Sequence, residues 1–384
     1  MTIDILLVIL SQLFICSHLS TGEDLYEGSP CLMENGNEGV CKKLPECPPR
    51  LKEVKNHTRD WGSTGRCGFD NFVEIVCCPL NVSEKLSKRP AESACEQQRS
   101  DEEVSFHIYN GVEAQSKEFP YVVALGFNNT EEDGPSIVYS CGGSLISTEH
   151  VLTAAHCVRN AKNLVPIEVR VGDEDLSSTG GSVQRIPISD IIIHPKYRIR
   201  TVYNDVAILK LKKKVELSNT VKPICLQTRS LNTINMTSNT SLVVLGWGAT
   251  SLDSEGSNRL MRTPSLSIVG IKECNKSYSG FSISRLTNGI DDNMICVIDS
   301  DSNRLSDSCL GDSGGPLVML AESGDSVIGI TAFGSSCGST IPSIYMAVHR
   351  YLDWIEEHVW PSVNNEPKPR ESDVFKWSFN LTIT

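Results

Sequence analysis

The sequence predicts an all-β fold preceded by a small cysteine-rich module. Short apolar runs, rich in β-branched residues and bounded by Gly, Ser and Pro, recur along the chain, and such runs are typical of strands. They include residues 121–125, 167–171, 242–245 and 327–330. Residues 350–358 instead have apolar side chains at helical spacing, which predicts one helix that closes the domain.

Length and charge limit the functions to consider. The chain has 384 residues, which is long enough for one large domain and one small one, and its hydrophobic fraction of 40% is enough for a packed core. The net charge of −12 gives no indication of nucleic-acid binding. The one basic run, residues 210–214, follows a strand-like segment and is interpreted as a solvated loop.

Residues 1–22 are predicted to be a secretory signal peptide. Their apolar run is too short to span a bilayer, and Ser20 and Gly22 form a small-x-small cleavage pattern. The start is atypical because it carries Asp4 and no Lys or Arg. No later stretch is long and apolar enough to cross a membrane, so we expect a soluble, extracellular mature protein.

Cysteine usage agrees with secretion. The chain has 15 cysteines, and loss of Cys16 with the signal leaves an even number. An even number in a secreted chain indicates a disulfide framework. Seven sequons are compatible with the same compartment. These glycosylation candidates are Asn56, Asn81, Asn128, Asn235, Asn239, Asn275 and Asn380.

Six cysteines crowd into residues 31–78. A segment of about 50 residues cannot bury a sufficient core, so disulfides must supply its order. A zinc knuckle is the alternative, but no Cys-x-x-Cys pair occurs there. The spacing alone permits several disulfide pairings. The six are Cys31, Cys41, Cys47, Cys67, Cys77 and Cys78.

The stretch of residues 311–316, Gly-Asp-Ser-Gly-Gly-Pro, carries a candidate nucleophile, Ser313. A serine hydroxyl needs a base to take its proton, and its attack on a carbonyl builds an oxyanion that needs aimed donors. Glycines on either side of Ser313 allow a tight turn to point the hydroxyl and nearby N–H groups into one space. The alternative is a glycine-rich turn that happens to hold a serine.

Candidate partners of Ser313 lie upstream. His156 follows an apolar run in Thr-Ala-Ala-His-Cys, and Asp205 precedes another in Asn-Asp-Val-Ala-Ile-Leu. Taken singly, His156 could be a core histidine and Asp205 a turn-capping aspartate. The order His156, Asp205, Ser313 is that of chymotrypsin-type enzymes and differs from the orders of subtilisins and α/β-hydrolases.

With Cys-Gly-Gly-Ser-Leu at residues 141–145 and Gly-Trp-Gly at 246–248, these motifs make residues 108–358 resemble a trypsin-like serine protease. The resemblance implies two six-stranded β-barrels with the active site between them. It also implies Ser313 as nucleophile, His156 as general base and then acid, and Asp205 as the group that orients His156. The N–H groups of Gly311 and Ser313 would then form the oxyanion hole.

The cysteine spacing of residues 31–78, with adjacent Cys77 and Cys78, resembles the clip domain of arthropod proteases. Together the two parts are most similar to the persephone and snake group, which points to haemolymph cascades of immunity, melanisation or embryonic patterning. The resemblance implies disulfides that use all fourteen mature cysteines. These are Cys31–Cys77, Cys41–Cys67, Cys47–Cys78, Cys95–Cys225, Cys141–Cys157, Cys274–Cys296 and Cys309–Cys337.

Residues 79–107 are polar and are interpreted as an exposed linker that ends at an activation site, His107–Ile108. Asp312 beside the nucleophile would be buried, and a buried unpaired carboxylate costs several kcal/mol. Cleavage would free an ammonium on Ile108 that can pair with Asp312 and order the oxyanion loop. The uncut chain is therefore predicted to be a zymogen. Because His107 is neither Arg nor Lys, we expect an activator of non-trypsin specificity.

Asp307, six residues before Ser313, matches the family position at the floor of the primary specificity pocket. A carboxylate there would pair with a substrate Arg or Lys; a surface aspartate is the alternative. Gly334 matches a glycine of the pocket wall, whereas Ser343 stands where a second wall glycine is usual. Ala332 replaces a serine that usually hydrogen-bonds the triad aspartate. Both departures affect the expected rate and selectivity more than the reaction type.

Neither a metal nor a cofactor is expected. The run Asp173, Glu174, Asp175 resembles the start of a calcium loop of some trypsins, but Val183 stands near where a later acidic ligand would be expected. Residues 361–384 form a tail without a family counterpart, and disorder is the default expectation there.

The sequence thus predicts a secreted zymogen of an endopeptidase that cleaves after Arg or Lys in an extracellular cascade. Its expected partners are a downstream protease zymogen as substrate, an upstream activating protease and a serpin inhibitor. A digestive trypsin-like protease is one alternative, which the clip module and linker argue against. A catalytically silent clip-protease homologue that acts as a binding cofactor is another, which the intact triad argues against.

Overall fold

A computed structural model describes most of the chain. The described residues are 25, 27–33, 37–56, 65–70, 72–79, 88–99, 114–129, 135–159, 164–231, 234, 239–249, 256–280, 285–301, 303–304, 306–309, 311–335 and 337–361. The signal region, the activation site His107–Ile108 and tail residues 362–384 lie outside them, so those predictions stay predictions. The chain divides into two compact units, Met1–Lys88 and Arg89–Thr384.

The first unit is a four-stranded antiparallel sheet with strand order β1-β2-β4-β3. One helix, α1, begins at two prolines, which are tolerated in a first helical turn because the N–H groups there have no intrahelical partner. The elements are β1 (Pro30–Leu32), β2 (Glu38–Lys43), a 3₁₀ turn (Leu44–Glu46), α1 (Pro48–Lys55), β3 (Arg66–Asp70) and β4 (Val73–Pro79).

Sulfur supplies much of the core of this unit. Successive residues of β4 point to opposite faces of the sheet, so Cys77 packs in one small cluster with Ile75 and Cys78 in another with Val76. The packing is tight at Gly39, where a Cβ would lie 2.6 Å from Cys77 Sγ. The unit therefore depends on its cross-links, as expected for a segment too small for a large apolar core.

Part of the predicted linker is a helix, α2 (Pro90–Arg99), that belongs to the second unit. Ala91 is buried, and its N–H donates to Glu356 Oε1 at 3.1 Å. Arg89 donates to both carboxylate oxygens of Glu356, at 3.1 and 2.8 Å. The polar composition of residues 79–107 led us to expect an exposed connector. Helix α2 instead contacts the rest of the unit through hydrogen bonds and one disulfide, and it has no apolar stripe that the sequence could have revealed.

The second unit begins with a closed antiparallel barrel of order β10-β7-β6-β5-β8-β9. A one-turn helix, α3 (Ala155–Val158), follows β7 directly. The barrel strands are β5 (Val122–Asn128), β6 (Ile137–Ser147), β7 (His150–Thr153), β8 (Glu168–Val171), β9 (Gln184–Ile193) and β10 (Ala207–Leu211).

The remaining strands form one curled sheet of order β13-β12-β16-β17-β18-β15-β14, and β11 pairs with β17 in parallel. This second half has eight strands rather than six because the two-residue strands β11 and β13 extend it. The strands are β11 (Cys225–Leu226), β12 (Ser241–Gly246), β13 (Met261–Arg262), β14 (Ser267–Val269), β15 (Met294–Ile298), β16 (Pro316–Leu320), β17 (Ser326–Phe333) and β18 (Ser343–Ala347).

Two further helices complete the unit: α4 (Ile271–Tyr278) and, after a 3₁₀ turn (Val348–Tyr351), α5 (Leu352–Val359). The closing helix predicted from residues 350–358 is confirmed. The four predicted strands are also confirmed, as β5, β8, β12 and β17. The fold is all-β and chymotrypsin-like, with the apolar side chains of both halves in its core.

Candidate active site

The pairing of β7 with β10 brings His156 and Asp205 together. Ala207 pairs with Thr153, so the residues just before β10 and just after β7 meet at one edge of the barrel. Asp205 Oδ1 accepts a hydrogen bond from the backbone N–H of His156 at 2.8 Å. Its Oδ2 lies 2.6 Å from His156 Nδ1. Two contacts to one carboxylate fix the orientation of the imidazole and leave Nε2 available on its other side.

The electrostatics of this pair favour a charged imidazole. Burial disfavours the imidazolium, but the negative charge of Asp205 and its hydrogen bond outweigh that penalty, so the pKa of His156 is raised. Asp205 itself is 4% exposed. The pair can therefore stabilise a proton that His156 takes up during a reaction.

Ser313 lies in the turn before β16. Its carbonyl oxygen accepts a hydrogen bond from Gly142 N at 2.8 Å. Cys157 Sγ lies 3.4 Å from that oxygen and 3.8 Å from His156 Nε2. Because one sulfur contacts both residues, the structure brings Ser313 and His156 to the same cleft.

Glycines allow the two halves of the unit to approach so closely. Gly314 has φ +75°, and a Cβ there would lie 2.3 Å from Thr153 Oγ1. A Cβ on Gly142 would lie 3.1 Å from the Cα of Gly315. Larger residues would push the serine turn away from β6 and β7, which explains why Ser313 lies in a glycine-rich segment.

Asp312 is buried beside Ser313, the predicted nucleophile, and is held by backbone donors. Gly248 N donates to Oδ1 at 2.7 Å, and Cys309 N donates to Oδ2 at 2.8 Å. Burial raises the pKa of Asp312 in spite of these hydrogen bonds. Within the described part of the chain, no Lys, Arg or His side chain pairs with it. The carboxylate therefore has a place for a cation that the described residues do not supply.

The Gly-Trp-Gly motif builds the cradle for Asp312. A Cβ on Gly248 would lie 2.6 Å from each of the two carboxylate oxygens. A Cβ on Gly246 would lie 2.0 Å from Oδ1. Only glycine fits at 246 and 248 without displacing the acid. Gly311, the other predicted oxyanion residue, has φ +104°, and a Cβ there would lie 2.9 Å from the Cα of Gly248.

Asp307 lies at the base of the predicted pocket with Ser343. Burial raises the pKa of Asp307 to about 6, although hydrogen bonds from Ser343 and Ser308 oppose the shift. A Cβ on Gly334 would lie 2.8 Å from Ser343 Oγ, so the two predicted wall residues touch. The three sequence-predicted pocket residues thus share one site.

Two further residues near this site were missed by sequence reasoning. Ser308 N donates to Asp307 Oδ1 at 2.8 Å, and the fully buried Tyr345 donates its OH to Ser308 Oγ at 3.2 Å. The adjacency of Ser308 to Asp307 was the available signal. Tyr345 gave none, because its contact depends on how β18 packs.

The segment compared with a calcium loop contains a cationic side chain. The guanidinium of Arg170 donates to the carbonyl oxygens of Asp175 and Ser178, at 2.7 and 2.9 Å. Asp173 accepts hydrogen bonds from Asp175 N and Ser178 Oγ, at 2.9 and 2.6 Å. The loop is closed by these internal contacts.

The structure contains seven disulfides, and their pairs are those that the resemblance implies. They are Cys31–Cys77, Cys41–Cys67, Cys47–Cys78, Cys95–Cys225, Cys141–Cys157, Cys274–Cys296 and Cys309–Cys337. No helix among the described residues is long and apolar enough to cross a membrane.

Four of the sequon asparagines are described. Asn56, Asn128 and Asn239 are exposed. Asn275 is partly buried, and its side-chain nitrogen donates to the carbonyls of Ile271 and Ile290, at 3.1 and 2.8 Å. A glycan on that nitrogen would break one of these hydrogen bonds, so the fold disfavours glycosylation there. Asn81, Asn235 and Asn380 lie outside the described residues.

A chymotrypsin-like fold with this constellation defines a trypsin-like serine endopeptidase, and comparison with known proteins agrees. The trypsin family model matches residues 108–355. The chain is 32% identical over 363 residues to serine protease snk of Drosophila melanogaster. The aligned region covers 88% of this chain and 80% of that protein. The chain belongs to the trypsin family, among the arthropod clip-domain serine proteases.

Two other relatives have similar coverage. Phenoloxidase-activating factor 3 of Holotrichia diomphalia is 31% identical, with 86% of this chain and 93% of that protein covered. CLIP domain-containing serine protease B4 of Anopheles gambiae is 28% identical, with 87% and 92% covered. The similarity thus extends beyond the protease domain into the N-terminal part of the chain.

Proposed function

We propose that this chain is a secreted zymogen which, after cleavage at His107–Ile108, cleaves another protein of an extracellular cascade after Arg or Lys. The observation that carries the proposal is a histidine oriented by a buried aspartate, with Cys157 Sγ in contact both with its Nε2 and with the carbonyl oxygen of Ser313. This arrangement supports hydrolysis, whereas a binding protein of this fold has no use for an oriented base.

The chemistry follows from the triad. His156 Nε2 takes the proton of the Ser313 hydroxyl as its oxygen attacks the carbonyl carbon of the scissile bond. Asp205 stabilises the imidazolium that forms. The oxyanion is bound by the N–H groups of Gly311 and Ser313. His156 then protonates the leaving amine, and a water molecule, deprotonated by His156, hydrolyses the acyl-enzyme and restores Ser313.

Activation rests on Asp312. Cleavage gives Ile108 an ammonium, and pairing with it would neutralise the buried carboxylate. That pairing would order the turn that carries Gly311 and Ser313. The Cys95–Cys225 disulfide and the contacts of α2 would keep the N-terminal part attached after cleavage.

The proposed partners follow from the same features. Asp307 at the pocket floor supports a cationic substrate side chain. His107 before the cleavage site supports an activator of non-trypsin specificity. The name of one relative, phenoloxidase-activating factor 3, refers to activation of another protein, which supports a downstream zymogen as substrate. Secretion into haemolymph and inhibition by a serpin belong to the same proposal.

The test is controlled cleavage of the purified zymogen. Residues 103–107 are replaced by Asp-Asp-Asp-Asp-Lys, the recognition sequence of enteropeptidase, so that the new chain still begins at Ile108. The cut protein is treated with a fluorophosphonate probe and assayed with peptide amides that carry Arg, Lys, Phe or Leu before the scissile bond. We expect labelling of Ser313 and hydrolysis after Arg or Lys only after the cut.

Three outcomes would contradict parts of the proposal. A cut protein that takes up no probe would be a silent homologue that acts by binding. Preference for Phe or Leu would remove the role of Asp307. Rapid activation of the unmodified zymogen without an added protease, abolished by Ser313→Ala, would show that the chain cleaves its own His107 site.

A further inference from the structure

The carboxylate of Asp307 has three donor groups of the protein beside it. Ser308 N donates to Asp307 Oδ1 at 2.8 Å, and the hydroxyls of Ser343 and Ser308 are near enough to oppose the rise of its pKa. The Ser308 hydroxyl in turn accepts from Tyr345 OH at 3.2 Å, which leaves its own proton for Asp307. A carboxylate offers about four lone-pair positions, so about one remains for a substrate.

Ser343 also reduces the space beside that carboxylate. It is 2% exposed, and its Oγ lies 2.8 Å from where a Cβ on Gly334 would stand. The side chain therefore extends from one wall residue to the other. A glycine at this position would leave both the volume and one acceptor position of Asp307 open.

The two cationic side chains make different demands on such a floor. An arginine guanidinium is planar and binds a carboxylate best with two parallel hydrogen bonds, one to each oxygen. A lysine ammonium is a compact charge with three donors that can point to separate acceptors. Asp307 has about one position left, and the hydroxyl oxygens of Ser308 and Ser343 keep free lone pairs.

On the basis of the proposed function, we infer that Ser343 makes the pocket select lysine over arginine before the scissile bond. Lysine places one N–H on Asp307 and the others on the two serine hydroxyls. Arginine must displace the Ser343 hydroxyl to form its paired contact, and it meets the extra side-chain atoms as it does so. Ser343 acts here as a specificity-determining residue, in direct contact with the substrate side chain.

The experiment uses the full-length chain cut before Ile108 and two peptide amides that differ only in Lys or Arg before the scissile bond. Rates are normalised to active sites titrated with the fluorophosphonate probe, which corrects for misfolded protein. The wild type should cleave the Lys peptide with a kcat/KM about tenfold higher than that of the Arg peptide, the loss expected for one charge-assisted hydrogen bond. Most of the difference should lie in KM, because the contact forms on binding.

Two variants of Ser343 distinguish the effect of its hydroxyl group from the effect of its side-chain volume. Ser343→Gly should raise the Arg-to-Lys ratio of kcat/KM by about 10- to 100-fold. Ser343→Ala, which frees the acceptor but keeps the Cβ, should raise it less. Ser326→Ala is the matched control, because Ser326 is also a buried serine in a strand of this half and lies outside the pocket. It should leave the ratio unchanged.

The outcomes distinguish this inference from the proposed function. An Arg-to-Lys ratio that stays within about twofold in Ser343→Gly would overturn the inference alone, since the enzyme would still be active. A wild type that prefers Arg would do the same. If the cut protein took up no probe or cleaved neither peptide, the proposed function itself would fail.

Discussion

The two halves of the protease unit differ in how their buried charged groups are satisfied. In the first barrel, Asp205 Oδ2 lies 2.6 Å from His156 Nδ1. The guanidinium of Arg170 donates to the carbonyl oxygens of Asp175 and Ser178. In the second half, Asp312 receives only backbone N–H groups from the described residues. Among the described residues, Asp205 and Arg170 of the first barrel thus have partners of opposite polarity, whereas the second half has a buried acid with no cation beside it.

Under the proposed function, this difference would explain how the protease is stored in an inactive form. His156 and Asp205 can meet before activation because both lie in one barrel. Ser313 and Gly311, the proposed nucleophile and oxyanion donor, lie on the turn that contains Asp312, and that turn would depend on a new chain terminus. Cleavage would then need to act on the second half only.

The largest expected effect is that of Asp312→Asn in the cut enzyme. Without its charge the side chain has no reason to pair with the Ile108 ammonium, so the oxyanion donors lose their fixed position. We expect kcat/KM to fall at least about 100-fold, the cost of losing one such donor. The measurement is peptide hydrolysis before and after the cut.

Asp190→Asn is the matched control, because Asp190 is exposed and its carboxylate accepts only the N–H of Ile191 in the described part of the chain. It should not change the rate. Full activity of Asp312→Asn with an unchanged thermal midpoint would mean that the second half does not depend on this acid, and the comparison would be broken.

The fall of kcat/KM at acid pH should show a smaller difference between the two halves. His156 must be neutral to act as base, and its raised pKa causes activity to fall as the pH drops. Asp307 must be ionised to bind a cation, and its pKa is raised to about 6. For a Lys peptide, the slope of log kcat/KM against pH should therefore approach two below pH 6, because both groups take up a proton there.

A neutral sulfonyl fluoride provides the comparison, because it reacts with Ser313 and requires no charge in the pocket. Its rate of inactivation should fall with a slope of one proton, from His156 alone. Equal slopes for the peptide and the sulfonyl fluoride would show that Asp307 stays ionised throughout and that the second half adds no titration of its own.

The smallest effect is expected from calcium removal. The Arg170 guanidinium already donates to the Asp175 and Ser178 carbonyls, so excess chelator should change the thermal midpoint by less than about 1 °C. Arg170→Ala should lower the midpoint by several degrees, because it removes the two hydrogen bonds by which this buried guanidinium closes the loop. A chelator effect on the wild type would show that this loop binds a metal ion after all.

Much of the fold and of the candidate site could be predicted from the amino-acid sequence. Short runs of β-branched residues predicted strands in both halves, and the motifs around His156 and Asp205 predicted that these two side chains would meet. Helix α2 could not be predicted, because its main apolar contact is one alanine and its anchor, Glu356, lies more than 250 residues away. The hydrogen bond between Tyr345 and Ser308 could not be predicted either, because it joins residues that are far apart in the sequence.

The amino-acid sequence by itself determined the chemistry of the reacting groups and the number of cross-links, because these depend on residue type and local spacing. Only the tertiary structure decided which buried charges are satisfied. A carboxylate is stable or strained according to the donors around it, and these come from distant segments. That is why Asp205, Asp307 and Asp312, identical as residues, are a paired acid, a proposed pocket floor and a buried acid with no cation beside it among the described residues.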